Sequence, residues 1–361
     1  MVRIHAFLIL ALLAVAARAV AAAAPGRVGW ADVNRQPAAW YAMPEAQVIA
    51  DSIVQYQTPS GGWPKNRDMT QPPDAAFLAD PEVDHRAANI DNGATTIQLA
   101  FLGRVITSTD TTRYGPAFAK GFDYLLAAQY PSGGWPQYYP ARAGYYTHIT
   151  FNDDAMVRAM TVLRDAADGK EPYAFVDAAR RTKARAALDR AVACILRCQV
   201  TVAGVKTAWC AQHDEVTFAP AKARAYEHPS LSGNESVGLT RYLMSIDRPG
   251  PEVIAAVTAA VAWMEKTRLT GFRYEEVPDA TVPGGKNRVV IPDPAGGPLW
   301  ARFYEPGTNR PIFSGRDSII RYAVSEIEPE RRNGYSWYGT WPRQLLEKEY
   351  PAWKQQWAPA R

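Results

Sequence analysis

Gln57-Thr58-Pro59-Ser60-Gly61-Gly62-Trp63-Pro64-Lys65 returns 72 residues later as Gln129-Tyr130-Pro131-Ser132-Gly133-Gly134-Trp135-Pro136-Gln137. A looser third copy opens at Gln199, 70 residues further on, and reaches Trp209. Each copy closes a stretch (46–57, 115–129, 181–199) whose apolar residues recur at i, i+3 and i+4, the period of an amphipathic helix. Pro and Gly-Gly then stop the helix. Between the copies lie three polar clusters: Asp91-Asn92-Gly93-Ala94, Asn152-Asp153-Asp154-Ala155 and Gly233-Asn234-Glu235-Ser236. A helical run follows each, over 95–106, 155–167 and 236–246, and a further helix is expected over 251–266. The unit is a helical hairpin of about 70 residues that cannot bury both faces alone, and stacking such units around an axis buries them. The expected fold is all-α, an (α/α)3 toroid with three recognisable hairpins, short strands in the Gly-Trp and 138–150 stretches, and a less regular C-terminal part. From 275 to 313 the helical period disappears among Pro, Gly, Arg and aromatic residues, which predicts a long irregular loop with a functional role. The aromatic tail, 335–357, is expected to pack back on the toroid.

Composition narrows the field. The chain has 361 residues, 47% hydrophobic and 21% charged, which excludes a disordered or collagen-like chain. A net charge of +4, evenly spread, gives no electrostatic footprint for nucleic acid. Eleven Trp and eighteen Tyr suit sugar rings and a packed core equally. A basic start, an apolar run over 6–17 and the small residues 19–24 have the order of a secretory signal peptide. The run is shorter than the ~20 residues a membrane span needs. Residues 1–23 therefore read as a cleaved leader and 24–361 as one catalytic domain, secreted or periplasmic, with no membrane association after cleavage. Cys194, Cys198 and Cys210 lack a His ladder and read as small core residues rather than a zinc site. No G-x-S-x-G or P-loop occurs, and no G-x-G-x-x-G opens a helix after a strand.

In this topology the polar clusters fall at equivalent points and should gather at one mouth. Asp91, Asp153 and Asp154, with Asn92 and Asn152 beside them, suggest a hard, oxygen-liganded cation such as Ca²⁺. Asp and Asn at helix starts are also ordinary N-caps, worth about 1 kcal/mol each. The first two clusters hold more polar groups than capping needs, and they recur in register. Lys65, Arg224, Arg302, Arg310 and Arg316 form the cationic counterpart. Arginines in a cleft beside a divalent cation would grip a polyanion with regularly spaced carboxylates through two-pronged hydrogen bonds. His213-Asp214-Glu215 reads either as a hydrolase element or as a polar loop under Trp209, and His148 either contacts substrate or orients the carboxylates.

The segments GGWPKN (61–66), IDNGATT (90–96), YPSGGWPQYYP (130–140), HITFNDDAM (148–156), WCAQHDEVTFAPAKARAYEHPSLSG (209–233) and LWARFYEPGTNRPIFSGRD (299–317) resemble the pectate lyases of polysaccharide lyase family 10. The resemblance implies a three-hairpin toroid that cleaves polygalacturonate by β-elimination with Ca²⁺ as cofactor. By that likeness Asp91 and Asp153 look like the acids that hold or flank calcium, and Asp154 adjoins them. Arg224 looks like the arginine that takes the proton. Lys65, Arg302, Arg310 and Arg316 look like residues that grip substrate carboxylates. One departure is Pro306 before Gly307-Thr308-Asn309, where isoleucine is common in the family, and it bears on the local loop shape. The alternatives are an (α/α) glycoside hydrolase working with two carboxylates, a triterpene cyclase sharing the Q-x-x-x-G-x-W pattern, and a non-catalytic uronate-binding protein.

Overall fold

A computed structural model describes residues 28–358; the leader expected over 1–23 lies outside the described residues. The three Gln/Trp motifs fold alike. The Gln57 amide donates to the carbonyls of Gly61 (2.7 Å), in its own loop, and Ala117 (2.8 Å), in the next helix of the row. Gln129 does the same with Gly133 (3.0 Å) and Ala187 (2.8 Å), and Gln199 with Thr207 (2.9 Å) and Ala256 (2.8 Å). The indole N–H groups of Trp63, Trp135 and Trp209 donate to Ile53, Leu125 and Ile195, at 2.8, 2.7 and 2.8 Å. Each acceptor lies four residues before its Gln, in the last helical turn, where carbonyls lack a partner within the helix. Trp300 repeats the contact on Met264 at 2.7 Å. This fourth copy escapes the sequence pattern because Arg268 stands where Gln would, and a long insertion separates helix from tryptophan.

The helices closed by these contacts, α1 (Pro44–Tyr56), α3 (Thr111–Ala128), α5 (Ala178–Cys198) and α7 (Pro251–Lys266), pack side by side in one row. The helices that follow the polar clusters, α2 (Thr96–Ser108), α4 (Ala155–Ala167) and α6 (Glu235–Met244), form a second row. Antiparallel pairs α2/α3, α4/α5 and α6/α7 join the rows, giving the all-α, (α/α)3 toroid. Trp63, Trp135, Trp209, Trp300 and Trp337 are all fully buried, so much of the aromatic surplus serves the core. Cys194, Cys198 and Cys210 are buried and unbridged.

Two-residue ladders stitch the loops together: Ile149–Thr150 with Gln212–His213, Leu231–Ser232 with Phe303–Tyr304, and Trp300–Ala301 with Tyr338–Gly339. The C-terminal region departs from expectation. Strands β1 (Phe272–Pro278) and β2 (Lys286–Pro292) pair along all seven residues as an antiparallel hairpin, where an irregular loop was expected from 275 onward. The flanking Pro and Gly residues hid it, because they belong to the Pro283-Gly284-Gly285 turn and to the chain leaving β2. The tail does pack back, with Trp337 and Trp353 buried.

Glycine 133 shows how tightly the motif loops sit. Its φ is +95°, and a Cβ there would meet the Arg190 carbonyl oxygen, in α5, at 2.1 Å. Gly144 has a similar φ of +89° with nothing within 4 Å. Gly144→Ala should cost about 1 kcal/mol for backbone strain alone, whereas Gly133→Ala should cost about 2–5 kcal/mol as overpacking adds to it. Urea denaturation of both variants checks the difference.

Candidate active site

Ordinary capping occurs elsewhere in this protein. Asp110 accepts the Thr112 N–H at 2.7 Å and Asp177 accepts the Arg180 N–H at 2.9 Å, capping α3 and α5. At the starts of α2, α4 and α6, Thr95, Asp154 and Asn234 make no side-chain cap bond. The clusters are instead tight turns with left-handed residues: Asn92 (φ 51°), Asp153 (φ 49°) and Asp154 (φ 58°). Asn and Asp tolerate this region better than other side chains, at a cost on the order of 1–3 kcal/mol each. The Asp91–Gly93 turn packs on the Asn152–Asp154 turn, which packs on the start of α6. Three equivalent points of the repeat thus meet, as the register implied.

A continuous array of paired charges runs across them. Lys65 Nζ lies 2.5 Å from Asp91 Oδ2. Asp91 is buried, and its Oδ1 has no hydrogen-bond partner. Arg302 Nη2 donates to Asp153 Oδ1 at 3.0 Å and to Glu235 Oε1 at 2.5 Å. Glu235 is fully buried and also accepts from the Ser232 hydroxyl. The Arg302 guanidinium lies 4.7 Å from the Tyr335 ring centroid, and the Tyr335 hydroxyl donates to Glu227 Oε1 at 2.9 Å. Glu227 takes Arg224 in two-pronged fashion, Nε at 2.8 Å and Nη2 at 2.5 Å. The far side closes through aromatic rings: Tyr145 feels the charges of Arg224 and Glu227, Tyr146 lies 4.2 Å from it, and Lys65 feels Tyr146.

For four of these groups burial opposes the charge, and the partners outweigh it. For Lys65, burial pulls the pKa down but Asp91 holds it above its ordinary value. For Arg302, burial is overcome by Glu235 first and Asp153 as well. Burial would raise Glu227, yet the Arg224 hydrogen bond holds it below the usual carboxylate range. Arg224 in turn is held above the ordinary arginine value by Glu227. Lys65, Arg302, Glu227 and Arg224 therefore stay charged at neutral pH.

The structure therefore brings Asp91, Asp153, Lys65, Arg302 and Arg224 together. Asp154 shares their turn, but its carboxylate lies against Gly238, lining a separate groove of about 460 Å³ with Arg164, Arg241 and Trp341. Arg316 stands at the outer edge, exposed and bound to Glu330 by two 3.0 Å contacts. Arg310 lies apart from the array: it is exposed, over the Tyr322 ring at 3.7 Å. The reason is local, since its carbonyl accepts the Glu305 N–H at 2.9 Å and closes a turn that carries it away. Sequence reasoning missed Glu227, Glu235 and Tyr335. Glu235 was visible in the third cluster, and Glu227 stands three residues after Arg224.

His213 is structural. Its ring lies 2.8 Å from the Phe218 carbonyl and accepts the Cys210 N–H at 3.0 Å, while burial pushes its pKa down to about 4 and keeps it neutral. His148 lies 3.4 Å from Glu215. With Asp214 they are, among the described residues, a group of three whose ligand atoms fall within 4.8 Å of one another; Asp91, Asp153 and Asp154 do not form such a group.

The chain matches the family model described as pectic acid lyase over residues 57–346, and it belongs to that family. It is similar to the family 10 polysaccharide lyase from Cellvibrio cellulosa, at 34% identity and a TM-score of 0.74, over 91% of this chain and 94% of that one. A mutant of that enzyme in complex with trigalacturonic acid matches with the same identity and TM-score, over 91% of this chain and 98% of that one. No curated protein matches the sequence. The protein is thus a polysaccharide lyase, the class its sequence resembled.

Asp154 carries a pH signature. Burial, helped by Glu235, raises its pKa from 3.8 to about 6. Between those values the folded state binds the extra proton, so stability falls as pH rises through the window, by up to about 3 kcal/mol once above it. Asp154→Asn removes that loss. The variant should be more stable than the parent at pH 7 and nearly equal to it at pH 4, as read by urea denaturation at both.

Proposed function

We propose that this enzyme is an exported pectate lyase that cleaves α-1,4-polygalacturonate by calcium-assisted β-elimination, releasing 4,5-unsaturated oligogalacturonates. The observation that carries this reading is the array itself: Lys65, Arg302 and Arg224 side by side, each held charged by a carboxylate. A row of fixed cations suits a polymer of uronic acids. Trigalacturonic acid in the Cellvibrio enzyme supports the same class of substrate. The order of residues 1–24 supports export, to the periplasm or beyond.

Asp91 and Asp153 are the residues proposed to hold calcium. The buried Asp91 Oδ1 is an acceptor without a partner, and the Asp153 carboxylate is 38% exposed. Each carboxylate already has a cationic neighbour, so further oxygen ligands, including a substrate carboxylate, would complete the site. Calcium, when bound, offsets the charge of the uronate carboxylate and makes the adjacent C5–H a stronger acid. Asp154, turned toward Gly238, serves the turn rather than the ion in this reading.

Arg224 is the proposed base. Glu227 engages its Nε–H and Nη2–H, which leaves Nη1 to face the reaction. Neutral Nη1 takes the C5 proton, the C4–C5 double bond forms, and the C4–O bond breaks with its electron pair going to the departing sugar oxygen, which takes a proton from water. Calcium and neighbouring cations alone would lower the pKa of Arg224, as the sequence suggested; Glu227 raises it instead. The neutral fraction at pH 7 is small, and it grows about tenfold per pH unit.

Purified protein incubated with polygalacturonate should produce the ultraviolet absorbance of the unsaturated product, and EDTA should abolish it. Turnover should climb from neutral pH into the alkaline range. Arg224→Ala should abolish turnover with substrate affinity nearly intact. Normal turnover with lost affinity would make Arg224 a binding residue and overturn the mechanism.

A further inference from the structure

The two halves of the site are joined through Tyr335. Its hydroxyl donates to Glu227 Oε1 at 2.9 Å, and its ring centroid lies 4.7 Å from the Arg302 guanidinium and 5.9 Å from that of Arg224. Arg224 and Glu227 form the half proposed to take the proton. Arg302, bearing on Asp153 and Glu235, belongs to the half proposed to hold calcium and the substrate carboxylate. Among the described residues, no hydrogen bond or ion pair joins these two pairs directly. The place of Tyr335 is set by the backbone. The Arg302 N–H donates to the Trp337 carbonyl at 2.8 Å, and the Trp337 N–H to the Tyr335 carbonyl at 3.1 Å. Trp337 is fully buried, and its indole donates to the Arg331 carbonyl at 3.0 Å. The Tyr335 ring stacks on Phe303 at 6.1 Å and meets Tyr226 edge-on at 5.3 Å. The stretch of chain that anchors Arg302 therefore anchors Tyr335 too.

The Glu227 carboxylate receives four donors. Oε2 takes the Arg224 backbone N–H at 3.1 Å and Nε at 2.8 Å; Oε1 takes Nη2 at 2.5 Å and the Tyr335 hydroxyl. The first three come from Arg224, on the same loop, so they hold the pair together without fixing where it points. The phenol is the donor from outside the loop, 108 residues further along the chain. It ties the carboxylate to the scaffold that carries Arg302. The guanidinium is planar, so a fixed carboxylate fixes its plane and with it the direction of Nη1. An ordinary phenol ionises near about pH 10 and would then stand as an anion against Glu227. Burial raises Tyr335 well above that value; Arg302 opposes the shift, and Glu227 and Glu235 add to it. The hydroxyl thus stays a donor through the alkaline range in which neutral Arg224 accumulates.

We propose that Tyr335 is a positioning residue: through its hydrogen bond to Glu227 it holds the Arg224 base aligned with the Asp153–Arg302 half of the site. The proposal rests on the reading of Arg224 above and adds what aligns that base. Tyr335 acts through Glu227 and touches no reacting atom.

Tyr335→Phe keeps the ring and removes only the hydroxyl. Hydrogen bonds to charged groups are the strong ones, so kcat on polygalacturonate should fall about tenfold, with KM within about twofold of the wild type. Because Tyr335 acts through Glu227, that effect should vanish in a Glu227→Gln background, where the double variant should match Glu227→Gln alone in kcat. A second readout needs no turnover. By NMR, the Arg224 Nε–H, assigned by its absence from the Arg224→Ala spectrum, should exchange with solvent several-fold faster in Tyr335→Phe. The Arg180 Nε–H, bound to Asp123 at 2.9 Å from α5, should exchange at its wild-type rate. Equal losses of kcat with and without Glu227→Gln, an effect confined to KM, or unchanged exchange of the Arg224 Nε–H would overturn the positioning role. A wild type that makes no unsaturated product would overturn the pectate reading instead, and the exchange measurement would still decide whether Tyr335 holds Arg224.

Discussion

The protein depends on one small contact made three times: a glutamine at a helix end whose amide holds its own loop and the next helix of the row together. A buried tryptophan from the same loop satisfies the last-turn carbonyl four residues before that glutamine. These contacts fix each loop against the following unit, so the spacing of hairpins is set by hydrogen bonds as well as by apolar packing. Lys65 follows the first of these loops by two residues, and the ladder of Leu231–Ser232 with Phe303–Tyr304 carries Arg302 back over the third cluster. The active-site charges are placed by the scaffold that closes the ring.

Where those charges meet, the chemistry is decided by pairing rather than by net charge. Asp91, Asp153, Glu227 and Glu235 each answer a specific cation. Glu235 is the least replaceable by reasoning: wholly buried, it orients Arg302, which in turn bears on Asp153. Breaking a buried pair of this kind is costly because the survivor stays charged and unsolvated. Glu227 has the opposite consequence for Arg224. It secures the geometry of the guanidinium while holding its pKa above the ordinary arginine value. In the proposed mechanism, neutral-pH base concentration is exchanged for a fixed Nη1.

Much of this was legible in the sequence, for physical reasons. The helix period, the Gly-Gly-Trp stops and the regular recurrence of polar clusters report directly on burial, so the toroid and the meeting of the clusters that carry Asp91 and Asp153 follow from pattern. The β1/β2 hairpin did not, because its partly buried alternation is short and sits among Pro and Gly. The fourth tryptophan contact was hidden by Arg268 and by the inserted hairpin. That Arg310 lies apart from the array was not legible either, because residue type gives affinity and not direction, and a tight turn at Glu305 sends it outward. Glu227 was missed because one carboxylate beside an arginine is common on surfaces; only the fold shows that it is buried.

The central claim is that Asp91 and Asp153 hold calcium jointly with a substrate carboxylate. Lys65 and Arg302 already bear on those two acids, so calcium alone should bind weakly and the substrate should tighten it, with the reciprocity that linkage requires. The direct measurement is calorimetric titration of calcium into the Arg224→Ala protein with and without trigalacturonate. The account expects affinity at least about tenfold tighter with the trimer, and loss of that gain in Asp153→Asn. Equal calcium affinity with and without the trimer, or a gain that survives Asp153→Asn, would contradict it.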